Sequence, residues 1–236
     1  MLTQTTIRHN AFHSVPKSAR GIASASAGSV KTADEPLAQT MHLMGAVMSH
    51  ARNCEIFGEN EPADYLYKVM SGCVRTYKTL SDGRRQIGGF YLPGEVFGLS
   101  FDDDHTMSAE AIADSKVLVI KRSAVNALAG RDPAIARELF MLTGRELRRA
   151  QDRVLLLIKS AQERVAGFLL EMAGRTTANN DVELPMSRQD IADYLGLTIE
   201  TVSRTLTALE CSAAIELPSS RHIVLRNRAA LNRLVS

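Results

Sequence analysis

The chain has 236 residues, 45% hydrophobic and 23% charged, with 28 Lys and Arg against 26 Asp and Glu. That length allows two small folded domains, and a net charge of +2 excludes a histone-like polycation holding nucleic acid by bulk charge. Cys54, Cys73 and Cys211 have no CxxC spacing, which excludes a zinc or iron–sulfur framework of that kind and suits a reducing cytoplasm, and no apolar run approaches the ~18 residues of a membrane span.

Residues 1–36 are rich in Ser, Ala and Thr, carry Arg8, Lys17, Arg20 and Lys31, and have few acids. The composition resembles a transit peptide, but it is read as a flexible N-terminal arm. Leu37 to Arg52 has helical spacing and is expected to pack on the domain that follows. From residue 53 the character changes. Gly58, Gly72, Gly83, Gly88, Gly89, Gly94 and Gly98 punctuate β-rich runs such as Tyr65 to Val69, Val74 to Tyr77 and Val117 to Ile120. Many short, evenly spaced strands predict a closed β-roll of the jelly-roll kind over residues 37–130. Ser81, Asp82, Gly83 and Arg84 form a hairpin tip within it.

Ser123 to Ala129 reads as a short helix ended by Gly130. Asp132 as N-cap and Pro133 as first helical residue then open a long helix, predicted as a dimerisation element over 131–161. Phe140, Thr143, Leu147, Ala150, Val154, Leu157 and Ala161 recur at alternating steps of three and four, a heptad seam. Arg145, Arg148, Arg149, Asp152 and Arg153 occupy its other faces. The simplest partner for such a seam is a second copy, in a parallel two-fold homodimer; packing against its own roll is the alternative, and both can hold for different faces.

Residues 162–236 are read as a winged helix-turn-helix DNA-binding domain on the signals that follow, with Val165, Phe168, Leu169 and Met172 as core of its first helix. Its most informative stretch is Ser187 to Glu210. Ser187 is an N-cap with Asp190 three residues on, a variant of the capping box. Ile191, Ala192 and Leu195 give a buried side, Gly196 supplies the positive φ that ends the helix, Leu197 plugs the turn and Thr198 caps the next helix. At about 100° per residue, Glu200, Ser203, Arg204 and Thr207 then share one stripe of that second helix, and Val202, Leu206 and Leu209 the opposite one. One face packs inward. The other offers a carboxylate, a hydroxyl and a guanidinium, groups that pair with base edges in a major groove. Ala192, Gly196 and Val202 have helix-turn-helix spacing.

Ile215 to Leu217 and His222 to Leu225 read as two strands around the turn from Pro218 to Arg221, a wing directly after the recognition helix. Candidates for phosphate contact are Ser187, Arg188, Thr198, Thr201 and Thr207 on the helices and Ser219, Ser220, Arg221 and His222 at the wing. From residue 184 onward six arginines (188, 204, 221, 226, 228, 233) face five acids (190, 193, 200, 210, 216), so affinity has to rest on placement and on pairing two copies. Cys211, just past the recognition helix, is a candidate redox thiol, since a charged oxidation product there opposes a phosphate; a buried small hydrophobe at a helix end is the other reading.

A β-roll, a long dimer helix and a winged helix-turn-helix, in that order, make an α+β chain that resembles the Crp–Fnr superfamily of bacterial transcription regulators over residues 37–236. Glu200, Ser203 and Arg204 in E-T-V-S-R match the E-x-x-S-R pattern of the Fnr-type branch, whose members read a TTGA-type half-site. The catabolite-activator branch typically has Gly where Ser203 stands and Arg where Ile199 stands. Within the Fnr type, residues 187–197 are similar to the FixK proteins of nitrogen-fixing bacteria. The resemblance implies a cyclic-nucleotide-binding-like roll and a cytoplasmic homodimer, mainly an activator, on a palindromic promoter site of the form TTGA-N6-TCAA. It implies a polymerase-contacting loop at Asp82 and Gly83, and control of genes for microaerobic respiration and nitrogen fixation. Arg204 is expected on guanine, Glu200 on an amino group of cytosine or adenine, Ser203 near a thymine, and Ile199 on a thymine methyl.

The chain also departs from that superfamily. Residues 1–53 contain no cysteine, so the iron–sulfur oxygen sensor of Fnr proteins is absent. Members that bind cyclic nucleotides carry a Gly-Glu pair and then an Arg-Ser pair for the phosphate. Here Gly94-Glu95 and Gly98-Leu99 are followed by Phe101 to Ser108, with no arginine and with Asp102, Asp103 and Asp104 nearby, so a cyclic nucleotide is expected to be repelled. Haem would need an axial ligand, and Cys73, His105 and His42 read as core or surface residues instead. No cofactor is therefore expected. Ala150 and Val154 put no charge in the middle of the seam, so the dimer can close without an effector; a ligand-gated Crp-type regulator with a small molecule in the roll is the alternative. An enzyme is not expected: His9, His13, His42, His50, His105 and His222 form no H-x-H or H-E-x-x-H pair, no G-x-S-x-G or P-loop occurs, and a cupin-like metal site would need more histidines than His105 in the roll.

Overall fold

The computed structural model describes residues 36–156, 158–176 and 180–235. The predicted arm, apart from Pro36, and Leu157 of the predicted seam lie outside them. The helix expected from Leu37 to Arg52 is shorter than its periodicity suggested. Helix α1 (Pro36–Met44) stops at Gly45, and Ala46–His50 is strand β1. A Cβ on Gly45 would stand 2.5 Å from the Met41 carbonyl oxygen and 2.9 Å from Leu118 Cδ1, so the chain leaves the helix through a gap only glycine fits. Strand β1 is claimed by β8 (Ser115–Lys121), with Ala46 opposite Val119 and His50 opposite Ser115. Pairing with a distant strand overrides the local helical spacing.

The remaining roll strands are β2 (Glu55–Phe57), β3 (Tyr65–Ser71), β4 (Val74–Thr79), β5 (Arg85–Tyr91), β6 (Val96–Phe97) and β7 (Ser108–Ala111). Strand β1 pairs with β8, β2 with β7, β3 with β6 and β4 with β5, all antiparallel. This nesting is one long hairpin rolled on itself, the jelly-roll arrangement. Lateral pairs β3–β8 and β4–β7 divide it into sheets of order β1-β8-β3-β6 and β2-β7-β4-β5.

Alternation sorts the faces of the first sheet. Tyr67, Val69, Val117 and Val119 turn into the roll with Phe57, Tyr91 and Phe97. Leu66, Leu118 and Ile120 turn outward onto Leu37 and Met41 of α1, Val125 of α2 (Arg122–Ala129) and Ile135 of α3 (Pro133–Leu156). The second sheet is covered by the C-terminal domain instead. Ile87 and Phe90 share a core with α4 (Ala161–Arg175) and α5 (Arg188–Leu195), and the Phe90 ring lies 6.3 Å from Phe168 and 5.3 Å from Tyr194. The inner strands β3 and β8 are thus buried on both faces, which is why they read as largely apolar runs, whereas the edge strand β1 is mostly exposed.

Asp132 caps α3 as expected, accepting from the Ala134 N–H at 2.8 Å. The helix stops at Leu156, before the predicted end at 161. Ser160 opens α4 with a full capping box: its hydroxyl accepts from the Glu163 N–H, and the Glu163 carboxylate accepts from the Ser160 N–H. Ala161 is therefore the first residue of α4, not the last of the seam. The C-terminal domain continues through β9 (Asp181–Glu183), α5, α6 (Ile199–Cys211), β10 (Ile215–Glu216), β11 (His222–Leu225) and α7 (Arg228–Val235). Strand β9 adds a third strand to the predicted wing, in the order β10-β11-β9.

Candidate nucleic-acid interface

Helices α5 and α6 meet in the geometry that their caps dictate. Ser187 accepts from the Asp190 N–H at 3.1 Å, and Asp190 returns the bond to the Ser187 N–H at 2.9 Å. Gly196 takes φ +65°, and the Leu197 N–H then closes on the Ala192 carbonyl at 3.0 Å. Thr198 caps α6 by accepting from the Thr201 N–H at 3.2 Å. Val202, Leu206 and Leu209 of α6 are fully buried with Ile191, Ala192 and Leu195 of α5 and with the α4 core. The opposite face is open. Ile199, Glu200, Ser203 and Arg204 line a single surface hollow.

Glu200 sits in the first turn of α6. Hydrogen bonds from its own N–H and from the Thr198 hydroxyl, with the Arg204 charge, hold its carboxyl below the usual carboxylate range. The hollow thus presents an acceptor and a bidentate cation one helical turn apart, with a hydroxyl between them and an aliphatic edge beside them.

The phosphate candidates divide. Arg188 stands half-buried at the start of α5, and Ser220 and Arg221 are exposed in the wing turn. Thr198 and Thr201 flank the α6 N-terminus with their hydroxyls 3.1 Å apart, and the Thr207 hydroxyl donates to the Ser203 carbonyl at 3.1 Å. Ser187 is spent internally: its hydroxyl donates to Asp190 Oδ2 at 2.8 Å while accepting from the Asp190 N–H. It belongs with the helix cap, not with the phosphate set. His222 opens β11, and its Nε2 is paired with Asp181 of β9, so the missing third strand claims the ring that the wing tip was expected to offer.

Inside the roll a cavity of about 160 Å³ is lined by Phe57, Tyr91, Phe97, Leu99, His105 and Met107, with Glu146 and Arg153 reaching in from α3. Asp102, Asp103 and Asp104 are exposed outside it. The expected repulsion by these three carboxylates is therefore not what shapes this space. The charges on its wall come from α3, and Arg153 is tied to the Gly88 carbonyl at a bulge in the β4–β5 pairing. Ligand pockets usually span about 300–1,000 Å³, so the volume is small for a drug-sized effector. Cys73 is buried and its thiol is pushed up to about 12 by that burial. Among the described residues no group of three His, Cys, Asp or Glu is placed to hold a metal.

His105 is buried with its ring stacked 3.6 Å from that of Phe57, and its Nε2 has no hydrogen-bond partner. Burial holds its pKa below the usual histidine value, with Glu61 and Asp104 pulling the other way and Arg122 adding to the lowering. A histidine whose folded pKa is depressed contributes stability above the unfolded value of about 6.5 and loses it as pH falls through that value. The melting temperature is expected to drop between pH 7.5 and pH 5, and His105→Phe to remove part of that drop. Identical pH slopes for both proteins in a thermal melt would assign the acid sensitivity elsewhere.

The seam residues of α3 face away from the roll. Phe140, Leu147 and Val154 are 76%, 59% and 63% exposed, Ala150 is exposed, and Thr143 is half-buried with its hydroxyl on the Leu139 carbonyl. Asp82 and Gly83 stand at an exposed hairpin tip, where Asp82 is paired with Arg84 and Gly83 takes φ +82°. Cys211 ends α6 and is exposed, so the buried-hydrophobe reading does not apply to it. No helix among the described residues is long and apolar enough to cross a membrane.

The missed residues are Arg75, Arg85 and Arg175, which tie the roll to the C-terminal domain, and Glu146 and Arg153 at the cavity. In the sequence each reads as an ordinary solvated charge, and only the fold brings its partner beside it.

Comparison with known proteins agrees with this architecture. Residues 163–234 match the Crp-like helix-turn-helix domain and residues 47–132 the cyclic nucleotide-binding domain. The nitrogen fixation regulation protein FixK of Azorhizobium caulinodans is 51% identical over 205 residues, covering 84% of this chain and 83% of that protein. FixK of Rhizobium meliloti is 41% identical over 181 residues, covering 76% and 82%. The structure of FixK2 from Bradyrhizobium japonicum superposes with a TM-score of 0.79 at 51% identity, covering 82% of this chain and 98% of that one. The chain belongs to the FixK type of the Crp–Fnr family of transcription regulators, with a DNA-binding helix-turn-helix.

Proposed function

We propose that the protein is a homodimeric activator that reads a TTGA-N6-TCAA palindrome without iron–sulfur cluster, cyclic nucleotide or other effector, at promoters of microaerobic respiration and nitrogen-fixation genes. The observation that carries the reading is the convergence of Ile199, Glu200, Ser203 and Arg204 on one open face of a helix whose other face is fully buried. Arg204 bonds guanine O6 and N7, Glu200 accepts from an exocyclic amino group, Ser203 sits by a thymine and Ile199 covers its methyl. Arg188, Thr198, Thr201, Thr207, Ser220 and Arg221 position the backbone. The exposed seam from Phe140 to Val154 pairs two copies, setting two recognition helices roughly 34 Å apart. Asp82 and Gly83 meet RNA polymerase. The gene assignment rests on the relatives, which are regulators of nitrogen fixation by name.

Effector independence is supported by the small cavity and by the Arg153 tie across its wall. The ligand-gated reading is favoured by that same cavity and by the unpartnered Nε2 of His105 on its lining. Fluorescence anisotropy with the ligand-free protein, on the palindrome and on a duplex with both guanines changed, separates the two at fixed salt. Tight binding lost on the guanine change is the expected result. Weak binding to both duplexes would favour a missing effector.

A further inference from the structure

The C-terminal domain is joined to the roll by more than the short connection between α3 and α4. Two clusters of charge bridge them. In the first, Arg75 of β4 donates to Asp190 Oδ1 at 2.5 Å and to Glu110 at 3.0 Å, while Arg85 of β5 reaches Asp190 at 2.8 Å and Asp193 at 2.8 Å. The side chains of Arg75 and Asp190 are only 10% and 7% exposed. Asp190 is filled on every side: Oδ1 takes both guanidiniums, and Oδ2 takes the N–H and hydroxyl of Ser187. The carboxylate that caps the first helix of the helix-turn-helix is thus the one the roll grips. In the second cluster Arg175, at the end of α4, donates to the Phe90 carbonyl and to Glu95, both at 2.5 Å, and Glu95 also holds Arg149 of α3 at 2.8 Å.

These contacts differ from surface ion pairs. They are largely buried, they are multidentate, and they flank an apolar patch in which Ile87 and Phe90 of the roll pack on the α4–α5 core. Neither cluster uses Ile199, Glu200, Ser203 or Arg204, which line the open hollow. A regulator that responds to an effector needs its DNA-binding domain free to change orientation. Here the roll's own side chains grip that domain at two points.

We propose that the β4–β5 hairpin and Glu95 form a two-point clasp that fixes the helix-turn-helix in its DNA-competent orientation, with Arg75, Arg85 and Glu95 as positioning residues. The inference rests on the reading of α6 as the base-reading helix. The clasp raises the competent fraction of protomers, and a dimer needs both protomers competent. A competent fraction cut to about a tenth in each weakens the two-site complex about 100-fold.

Cys54 in the roll and Cys211 at the end of α6 are exposed, whereas Cys73 is buried, so spin labels on the native thiols report the distance between the two domains. The test compares the full-length parent with Arg85→Gln, Glu95→Gln and the double variant. It measures electron–electron distance distributions in dimers diluted with unlabelled chain, and anisotropy of unlabelled protein on both duplexes. The expected result is one narrow distribution in the parent, broadened in the double variant, with affinity for the palindrome down at least tenfold. The ratio of affinities for the palindrome and the guanine-changed duplex stays as in the parent, because the reading face is untouched. A parent that fails to discriminate the duplexes would sink the base-reading assignment and leave the distance measurement to judge the clasp. Unchanged distances with unchanged affinity would overturn the clasp. So would a gain in affinity, which would make the contacts inhibitory. Arg85 is the least buried of the clasp arginines on the roll, so Arg85→Gln alone carries the test if the double variant does not fold.

Discussion

Arg204→Ala is expected to weaken binding to the TTGA-N6-TCAA duplex by about 1–3 kcal/mol per half-site. Two half-sites compound this to between about 30-fold and about 10⁴-fold, at 1.4 kcal/mol per factor of ten. Arg204 is exposed on α6, one turn beyond Glu200, and its helix is fixed from behind by three fully buried side chains. Truncating it leaves that packing intact, so the loss belongs to recognition and not to folding. It also removes the cation that helps keep Glu200 ionised, leaving an acceptor with less to orient it. On the guanine-changed duplex the same substitution costs little more, since the partner of the guanidinium is already gone. A phosphate-binding Arg204 would behave otherwise: the loss would be equal on both duplexes and the salt slope would fall by about one per half-site, about two for the dimer. Anisotropy titrations of parent and variant on both duplexes, at two salt concentrations, distinguish these outcomes.

The recognition unit was legible because its signals are local. Ser187 with Asp190, Gly196 in the left-handed region and Thr198 before the helix each act within a few residues, and the structure reproduces all of them. The roll was legible as a class and not as a topology. Its strands pair with partners far along the chain, and nothing in Ala46–His50 alone announces that β8 will claim it from the preceding helix. The end of α3 was misread for a different reason. A heptad count runs on through Ala161, but Ser160 followed by Glu163 was a visible start signal for a new helix, and it outranks the period. Strand β9 has three residues, of which only Val182 is buried, too little for any period to show. The clasp was beyond reach, because an arginine in a strand reads as solvated until the partner carboxylate of another domain is placed beside it.

The second large effect is expected at the seam. Leu147→Asp should convert the protein from dimer to monomer at micromolar concentration and weaken binding to the palindrome by about 10²-fold or more, the gain that linking two modules typically provides. Within the protomer Leu147 supports nothing: it is 59% exposed, so the substitution leaves the melting of roll and helix-turn-helix close to that of the parent. In a two-fold dimer the same position meets its counterpart or a near neighbour, and a carboxylate there is buried opposite another. Phe140 and Val154, two turns to either side, are exposed on the same stripe, and Met141, Leu155 and Ile158 widen it. A soluble protomer rarely leaves so long an apolar row to water. Gly144 gives the argument a second footing. It lies in the middle of α3, where glycine costs about 1 kcal/mol relative to alanine, and a Cβ added there would meet nothing within 4 Å beyond its own turns of helix. The protomer gains nothing from its absence, whereas a helix approaching beside Leu147 gains room to come close. Sedimentation velocity of Leu147→Asp beside the parent reads the assembly directly, and anisotropy on a full palindrome against a single half-site reads its consequence. A variant that sediments as a dimer and keeps the parent's preference for the full palindrome would move the interface off α3; a monomer that binds full and half sites alike would place it there.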